Sequence, residues 1–244
     1  MAGAAAERQE TGFVNAVKSG YRRNGRNPIT LVVGKTTIDG VVDASKYTGR
    51  QAGGSEPYTD VQIVTLGDKR FNLSMKGEAA PSLAGGGLRG LELAVPGIGR
   101  KFMNAVFKHL KDTKKLKAGQ KVPDVYGKIG ATDKRKIVVG NAQMGGPIDY
   151  MYIGGMDVRS SYDEDTSTLT VNNAELIPAM KYANEHDLYF RLRARREDQR
   201  FDPKAKDSNG TPKVYGKSPS RGDSAGRIVV TDKVPYNAIT IRLS

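Results

Sequence analysis

The chain of 244 residues has no cysteine, no tryptophan and only two histidines. The absence of cysteine excludes disulfides, thiol nucleophiles and thiolate zinc sites. Because His109 and His186 are the only histidines, neither a histidine metal cluster nor a histidine-centred hydrolytic site is expected. Any chemistry must therefore rest on carboxylates, lysines and hydroxyl groups.

Long apolar runs are also missing. No segment approaches the roughly 18 apolar residues that cross a bilayer, and the start, MAGAAAERQE, lacks the basic and apolar regions of a secretory signal. We therefore expect an intracellular, cytoplasmic protein without a membrane partner, and a phage-encoded protein is compatible with this. The 39 Lys and Arg exceed the 26 Asp and Glu, which gives a net charge of +13 and favours a nucleic-acid partner.

Alternating and helical patterns follow one another along the chain, so we predict a mixed α/β fold. It has a mixed central β-sheet flanked by helices and a β-rich C-terminal part. We predict a single domain, with a core over about 1–155 and a C-terminal helix and basic strands over about 156–244, including a polar loop at about 200–225. The pattern also predicts a strand at 136–139 and an amphipathic helix at 173–186.

The most informative stretch is 60–76, which predicts a β-hairpin around Gly67-Asp68. Asp60 begins the first strand and Lys76 ends the second, so the hairpin can bring the acid and the lysine together. Alternation places Ser74 on the same face as Lys76. A carboxylate that holds a divalent cation beside a lysine is an arrangement suited to phosphodiester cleavage.

A second acid is predicted to face the protein. Residues 4–18 are predicted to form a helix, in which Glu10 shares one face with the apolar Phe13, Val14 and Val17. Glu10 could therefore reach the same region as the hairpin.

These residues resemble the PD-(D/E)XK nuclease superfamily, in which an aspartate on one strand and a (D/E)-X-K triplet on the next hold a catalytic magnesium. Thr59-Asp60 stands in place of Pro-Asp, and Ser74-Met75-Lys76 stands in place of the acidic triplet. Serine is a poorer Mg²⁺ ligand than a carboxylate. Glu10 could supply the missing charge, since the family often adds a glutamate from an N-terminal helix.

The resemblance implies a restriction-endonuclease-like core and an endonuclease, a hydrolase that cleaves phosphodiester bonds of double-stranded DNA with Mg²⁺ or Mn²⁺. It implies catalytic roles for Glu10, Asp60, Ser74 and Lys76. The metal would be held by Glu10, Asp60 and the backbone carbonyl of Met75. A homodimer would fit an enzyme that cuts both strands.

A basic row is predicted on the strand at 188–196, where Tyr189, Arg191, Arg193 and Arg195 share one face. Alternate residues on a strand lie about 6.6 Å apart, close to the spacing of phosphates along a nucleic-acid strand. Together with Arg22 and Arg23, this row is predicted to bind nucleic acid. The alternative interpretation is an exposed edge strand that charge protects from aggregation.

Two other classes of protein stay open. One is a non-catalytic nucleic-acid-binding protein that keeps a nuclease-like fold, which the serine at position 74 favours. The other is a basic structural protein of a virion or another assembly, in which the segment 200–225 would order on docking.

Overall fold

The computed structural model describes residues 4–49, 57–78, 82–83, 87–112, 116–193, 202, 204 and 227–243. In chain order, the helices and strands are α1 (Ala4–Arg23), β1 (Ile29–Val33), β2 (Thr36–Lys46), β3 (Val61–Thr65), β4 (Arg70–Gly77), β5 (Ser82–Leu83), α2 (Gly87–Ala94), α3 (Ile98–Asp112), β6 (Val125–Lys128), α4 (Ala131–Val139), β7 (Tyr150–Gly154), β8 (Ser160–Asp163), β9 (Thr168–Val171), β10 (Ala174–Pro178), α5 (Ala179–Glu185), β11 (Tyr189–Arg193), β12 (Arg227–Thr231) and β13 (Ile239–Ile241).

The chain divides into two compact units. The first comprises 1–81 and 135–185, and the second comprises 82–134 and 186–244. The first unit contains an eight-stranded sheet in the order β10-β7-β4-β3-β2-β1-β9-β8. Its strands β1 to β4 form an antiparallel meander, whereas β7 runs parallel to β4 and β9 runs parallel to β1. The sheet is therefore mixed, as the sequence predicts.

The predicted hairpin is formed by β3 and β4. A short 3-10 turn at Leu66–Asp68 joins the strands, and both Gly67 (φ 74°) and Asp68 (φ 61°) take left-handed backbone conformations. Glycine adopts this conformation without strain, and aspartate tolerates it better than most residues. The register pairs Val61 with Leu73 and so leaves the end of β4 beyond the paired part of β3.

Helix α1 covers one face of this sheet. Phe13 and Val17 are fully buried, and they join a core that includes Leu31, Val41 and Ile63. Because the buried residues recur at helical spacing, the helix can present only one face to the sheet. This constraint sets the position of its N-terminal half, where Glu10 lies.

The second unit contains a five-stranded sheet in the order β13-β6-β11-β12-β5. Helix α3 packs through Phe102, whose ring centroid lies 5.3 Å from that of Phe190 on β11. A Cβ atom at Gly127 in β6 would lie 2.9 Å from the Phe102 ring, so this close approach of helix and strand requires glycine.

Two sequence predictions of secondary structure are wrong. The stretch 136–139 belongs to helix α4, because Lys134, Ile137 and Val138 are buried at helical spacing and this packing outweighs the β propensity of Ile-Val-Val. In the stretch 173–186, residues up to Pro178 form β10, which pairs with β7, and the helix begins only at Ala179. Proline cannot occupy a helix interior, and it marks this boundary.

The mixed α/β class with a large central sheet flanked by helices is confirmed. In the described part of the chain, no helix combines the length and apolarity needed to span a membrane. The predicted polar loop at 200–225 lies outside the described residues, apart from 202 and 204.

Candidate active site: acids and lysines at the ends of β2, β3 and β4

Asp60 is fixed by the backbone on both sides. Its N–H donates to the Leu73 carbonyl at 2.9 Å, and its carbonyl accepts the Tyr47 N–H at 3.0 Å. The next N–H of β4, that of Met75, donates to the Asp60 carboxylate at Oδ2 (2.6 Å) and not to a backbone carbonyl of β3. The ladder geometry thus determines where this carboxylate lies.

The triplet on β4 converges on the same carboxylate. The Ser74 hydroxyl lies 3.4 Å and the Lys76 ammonium 3.5 Å from Asp60 Oδ2. Asp60 and Lys76 therefore lie close together, as the hairpin predicts. Every hydrogen bond that the Asp60 side chain makes with described residues ends on Oδ2, which leaves Oδ1 for another ligand.

The Met75 carbonyl points toward the same space. In a β-strand, the N–H and C=O of one residue point to the same side, and the Met75 N–H points at Asp60. The Lys76 carbonyl points the opposite way and accepts a hydrogen bond from Gln9. The Met75 carbonyl oxygen is thus directed to the start of β3, beyond Val61, the last residue of β3 that pairs with β4.

Glu10 reaches this cluster from α1. Its side chain is 16% exposed, and its Oε2 lies 3.6 Å from the Lys46 ammonium. Burial raises the pKa of the Glu10 carboxyl above its ordinary value, and the negative charge of Asp60 raises it further, while Lys46 and Lys76 lower it. Glu10 and Asp60 are therefore close enough to interact electrostatically.

Two residues at this cluster are missing from the sequence predictions. Lys46 ends β2 opposite Val61, which places it beside Asp60 at the same strand ends. Gln9 is 1% exposed, and its side-chain amide donates to the carbonyls of Gly154 at 2.9 Å and Gly155 at 3.1 Å. Gln9 thereby holds α1 against β7 directly beside Glu10.

The sequence does contain a signal for Gln9. It precedes Phe13 by four residues and Val17 by eight, so it belongs to the buried face of α1. A polar side chain on such a face must find buried partners. No comparable signal identifies Lys46, because its ion pair joins two elements that lie far apart in the sequence.

The residues present fit a small divalent cation. Mg²⁺ takes oxygen ligands and commonly keeps several waters around one or two carboxylates. The Glu10 and Asp60 carboxylates and the Met75 carbonyl supply such oxygens. Among the described residues no three acidic or histidine side chains form a metal-holding group, so an ion here would depend on backbone oxygen and water as well.

Arg191 of the predicted basic row is paired with an acid. Arg191 donates through Nε to Asp124 Oδ2 at 2.9 Å and through Nη2 to the same oxygen, and its guanidinium lies 5.6 Å from the Tyr126 ring centroid. Its strand β11 lies between β6 and β12, so the alternative of an edge strand is wrong. Tyr189 is half-buried, Arg193 ends the strand, and Arg195 lies outside the described residues.

Arg22 and Arg23 lie in the last turn of α1. Twelve residues of helix separate Arg22 from Glu10, which corresponds to about 18 Å. Arg23 is paired with Glu164 at 2.9 Å and stacks on Tyr162. These arginines are therefore not part of the acid–lysine cluster.

Comparisons with protein-family models, with curated proteins and with solved structures found no match to this chain.

Proposed function

We propose that the cluster of Glu10, Asp60, Ser74 and Lys76 is the active site of a Mg²⁺- or Mn²⁺-dependent endonuclease that acts on double-stranded DNA. The observation that supports this most is that Asp60, directly before β3, lies 3.5 Å from Lys76 of β4 and interacts electrostatically with Glu10 of α1. The net charge of +13 supports a polyanionic substrate.

Each residue has a role in this proposal. A bound divalent cation would polarise the scissile phosphate and acidify a water molecule. Glu10, Asp60 Oδ1 and the Met75 carbonyl would hold that cation, and Ser74 would orient Asp60 through its hydroxyl. The Lys76 ammonium would stabilise the negative charge that develops on the phosphate during attack.

The raised pKa of Glu10 fits a cation site. Burial and the negative charge of Asp60 both disfavour the ionised Glu10 carboxyl, so that a proton or a cation is favoured there. The cost of ionising Glu10 is relieved when a cation binds. Cation affinity should therefore increase with pH as the Glu10 proton is lost.

A non-catalytic nucleic-acid-binding protein is the second candidate. The observation that favours it is the local charge balance, because Lys46 pairs with Glu10 and Lys76 with Asp60. Two acids and two lysines give a neutral cluster that needs no metal. Ser74, which replaces the acidic residue of the family triplet, favours the same interpretation.

Plasmid cleavage in Mg²⁺ by two isosteric variants tests the proposal. Asp60→Asn keeps an acceptor for the Met75 N–H but removes the charge, and Lys76→Met keeps the apolar stem but removes the ammonium. We expect each to reduce the cleavage rate roughly 100- to 1000-fold, with DNA binding in EDTA preserved. Asp39→Asn and Lys35→Met, at exposed positions of the same unit, are the matched controls. Variants that cut as fast as these controls would refute the assignment.

A further inference from the structure

The net positive charge of this protein arises from one of its two units. The second unit contains 24 of the 39 Lys and Arg and 11 of the 26 Asp and Glu, which gives it the whole excess of +13. The first unit holds the remaining 15 basic and 15 acidic residues and is neutral. The unit that carries the candidate active site therefore has no net attraction for a polyanion.

Helix α3, in the second unit, carries exposed basic side chains along one side. Arg100, Lys101, Asn104, Lys108 and Lys111 are all exposed. At 3.6 residues per turn they fall within an arc of about 100° on one side of the helix. The opposite side is apolar and packs into the unit through Phe102, Val106 and Leu110, which are fully buried.

The packing fixes which side of α3 faces solvent. Phe102 packs against Phe190 and its ring closely approaches Gly127, so the apolar side of the helix contacts the strands. The basic arc, defined as Arg100, Lys101, Lys108 and Lys111, must then face outward. None of these four side chains forms an ion pair with another described residue, and only Lys111 has an aromatic neighbour, the Phe107 ring at 5.9 Å.

Other cations near α3 are already matched by acceptors. A cleft of about 330 Å³ beside Lys101 contains Lys128 and Lys134. Lys128 pairs with Asp187 at 2.7 Å, and the buried Lys134 donates to the His186 carbonyl at 2.6 Å. Lys101 also lines this cleft, and it forms no ion pair with another described residue.

The N-terminus of α3 is also occupied. The Glu92 carboxylate accepts the backbone N–H groups of Gly97 at 2.5 Å, Gly99 at 2.8 Å and Arg100 at 3.2 Å. This internal carboxylate takes the place that an external anion could otherwise fill. An anionic partner would therefore contact the side chains along the helix.

We propose that the basic arc of α3 binds the phosphate backbone of duplex DNA. Arg100 and Lys111 are separated by about 16 Å along the helix, which spans about two to three steps between neighbouring phosphates at the spacing of about 6.6 Å along a strand. This inference deepens the proposed function by naming the surface that holds the substrate. It replaces the arginine row of β11, where Arg191 is paired with Asp124.

DNA binding in EDTA tests this proposal without cleavage. The variant Lys101→Gln/Lys108→Gln removes two cations from the arc and keeps side chains that favour helix. The matched control is Lys35→Gln/Lys136→Gln, which removes two exposed lysines from the first unit. The affinity of each protein for a 30-base-pair duplex is measured between about 50 and 200 mM salt.

We expect the arc variant to flatten the plot of log K against log salt by about 1.8 and to weaken binding roughly 60-fold at 0.1 M salt. The control should stay within about twofold of the unmodified chain. Equal loss in both variants, no loss in the arc variant, or stronger binding to a single strand than to the duplex would overturn the proposal. If the arc variant loses affinity but the unmodified chain does not cleave DNA in Mg²⁺, only the proposed nuclease activity is contradicted. If the unmodified chain cleaves DNA and the arc variant binds DNA as tightly as it does, only this inference is contradicted.

Discussion

Replacement of Gln9 by methionine should destabilise the first unit and displace Glu10. The two side chains have similar volume, so this change removes hydrogen bonds without leaving a large cavity. The Gln9 amide has two N–H protons and serves the carbonyls of Gly154, Gly155 and Lys76 at 2.9, 3.1 and 3.3 Å. Two hydrogen bonds are therefore lost from a site that is 1% exposed.

The expected size follows from these two bonds. Each is worth about 1 kcal/mol net, and a carbonyl left buried without a donor adds a similar or larger penalty, so the loss should be about 2–4 kcal/mol. For a chain of this length, 1 kcal/mol shifts Tm by about 2–4 °C. Gln9→Met should therefore lower Tm by roughly 4–16 °C.

Thermal unfolding followed by circular dichroism measures this shift. Asn15→Met is the matched control, because Asn15 is an exposed amide on the same helix, and it should change Tm by less than about 1 °C, as surface changes usually do. If the chain is the proposed nuclease, Gln9→Met should also slow cleavage, since α1 is no longer held where Glu10 interacts with Asp60. A Tm equal to that of the control would refute the argument that Gln9 anchors the helix.

Two further predictions concern single residues. The pKa of Glu10 is raised in the folded protein, so ionisation of this carboxyl lowers the stability at higher pH. Glu10→Gln should therefore raise the Tm of the metal-free protein at pH 7 and leave it unchanged below about pH 4, the ordinary pKa of a glutamate. A lower Tm of the variant at pH 7 would contradict this expectation. Gly127→Ala should lower the free energy of unfolding, measured with denaturant, by about 1–3 kcal/mol, because the new Cβ would lie 2.9 Å from the Phe102 ring. An unchanged denaturant midpoint would show that α3 can shift away from β6.

The hairpin and the first helix could be predicted because their signals are local. Alternation on both sides of Gly67-Asp68 predicts two paired strands, and the spacing of Phe13 and Val17 predicts a helix with a buried face. The approach of Asp60 to Lys76 follows from this register alone. Glu10 required one further assumption, that α1 packs near the hairpin, and its electrostatic interaction with Asp60 agrees with that assumption.

Features that depend on distant partners could not be predicted in the same way. The ion pair of Arg191 with Asp124 joins residues that are far apart in the sequence, so a strand pattern alone shows a row of arginines and not its neutralisation. Lys46 reaches Glu10 only because β2 extends to the end of β3. Helix α4 was missed because β-branched residues favour a strand locally, whereas tertiary packing decides the outcome.

The most direct test of the central claim is the rate at which the unmodified chain cleaves supercoiled plasmid in Mg²⁺, compared with Asp60→Asn and with the unmodified chain in EDTA. If the strand-end acids hold a catalytic cation, cleavage will require Mg²⁺ or Mn²⁺ and will fall roughly 100- to 1000-fold in the variant. Absence of cleavage by the purified unmodified chain under any of these conditions, with DNA still bound, would contradict the claim and identify the protein as a binding protein.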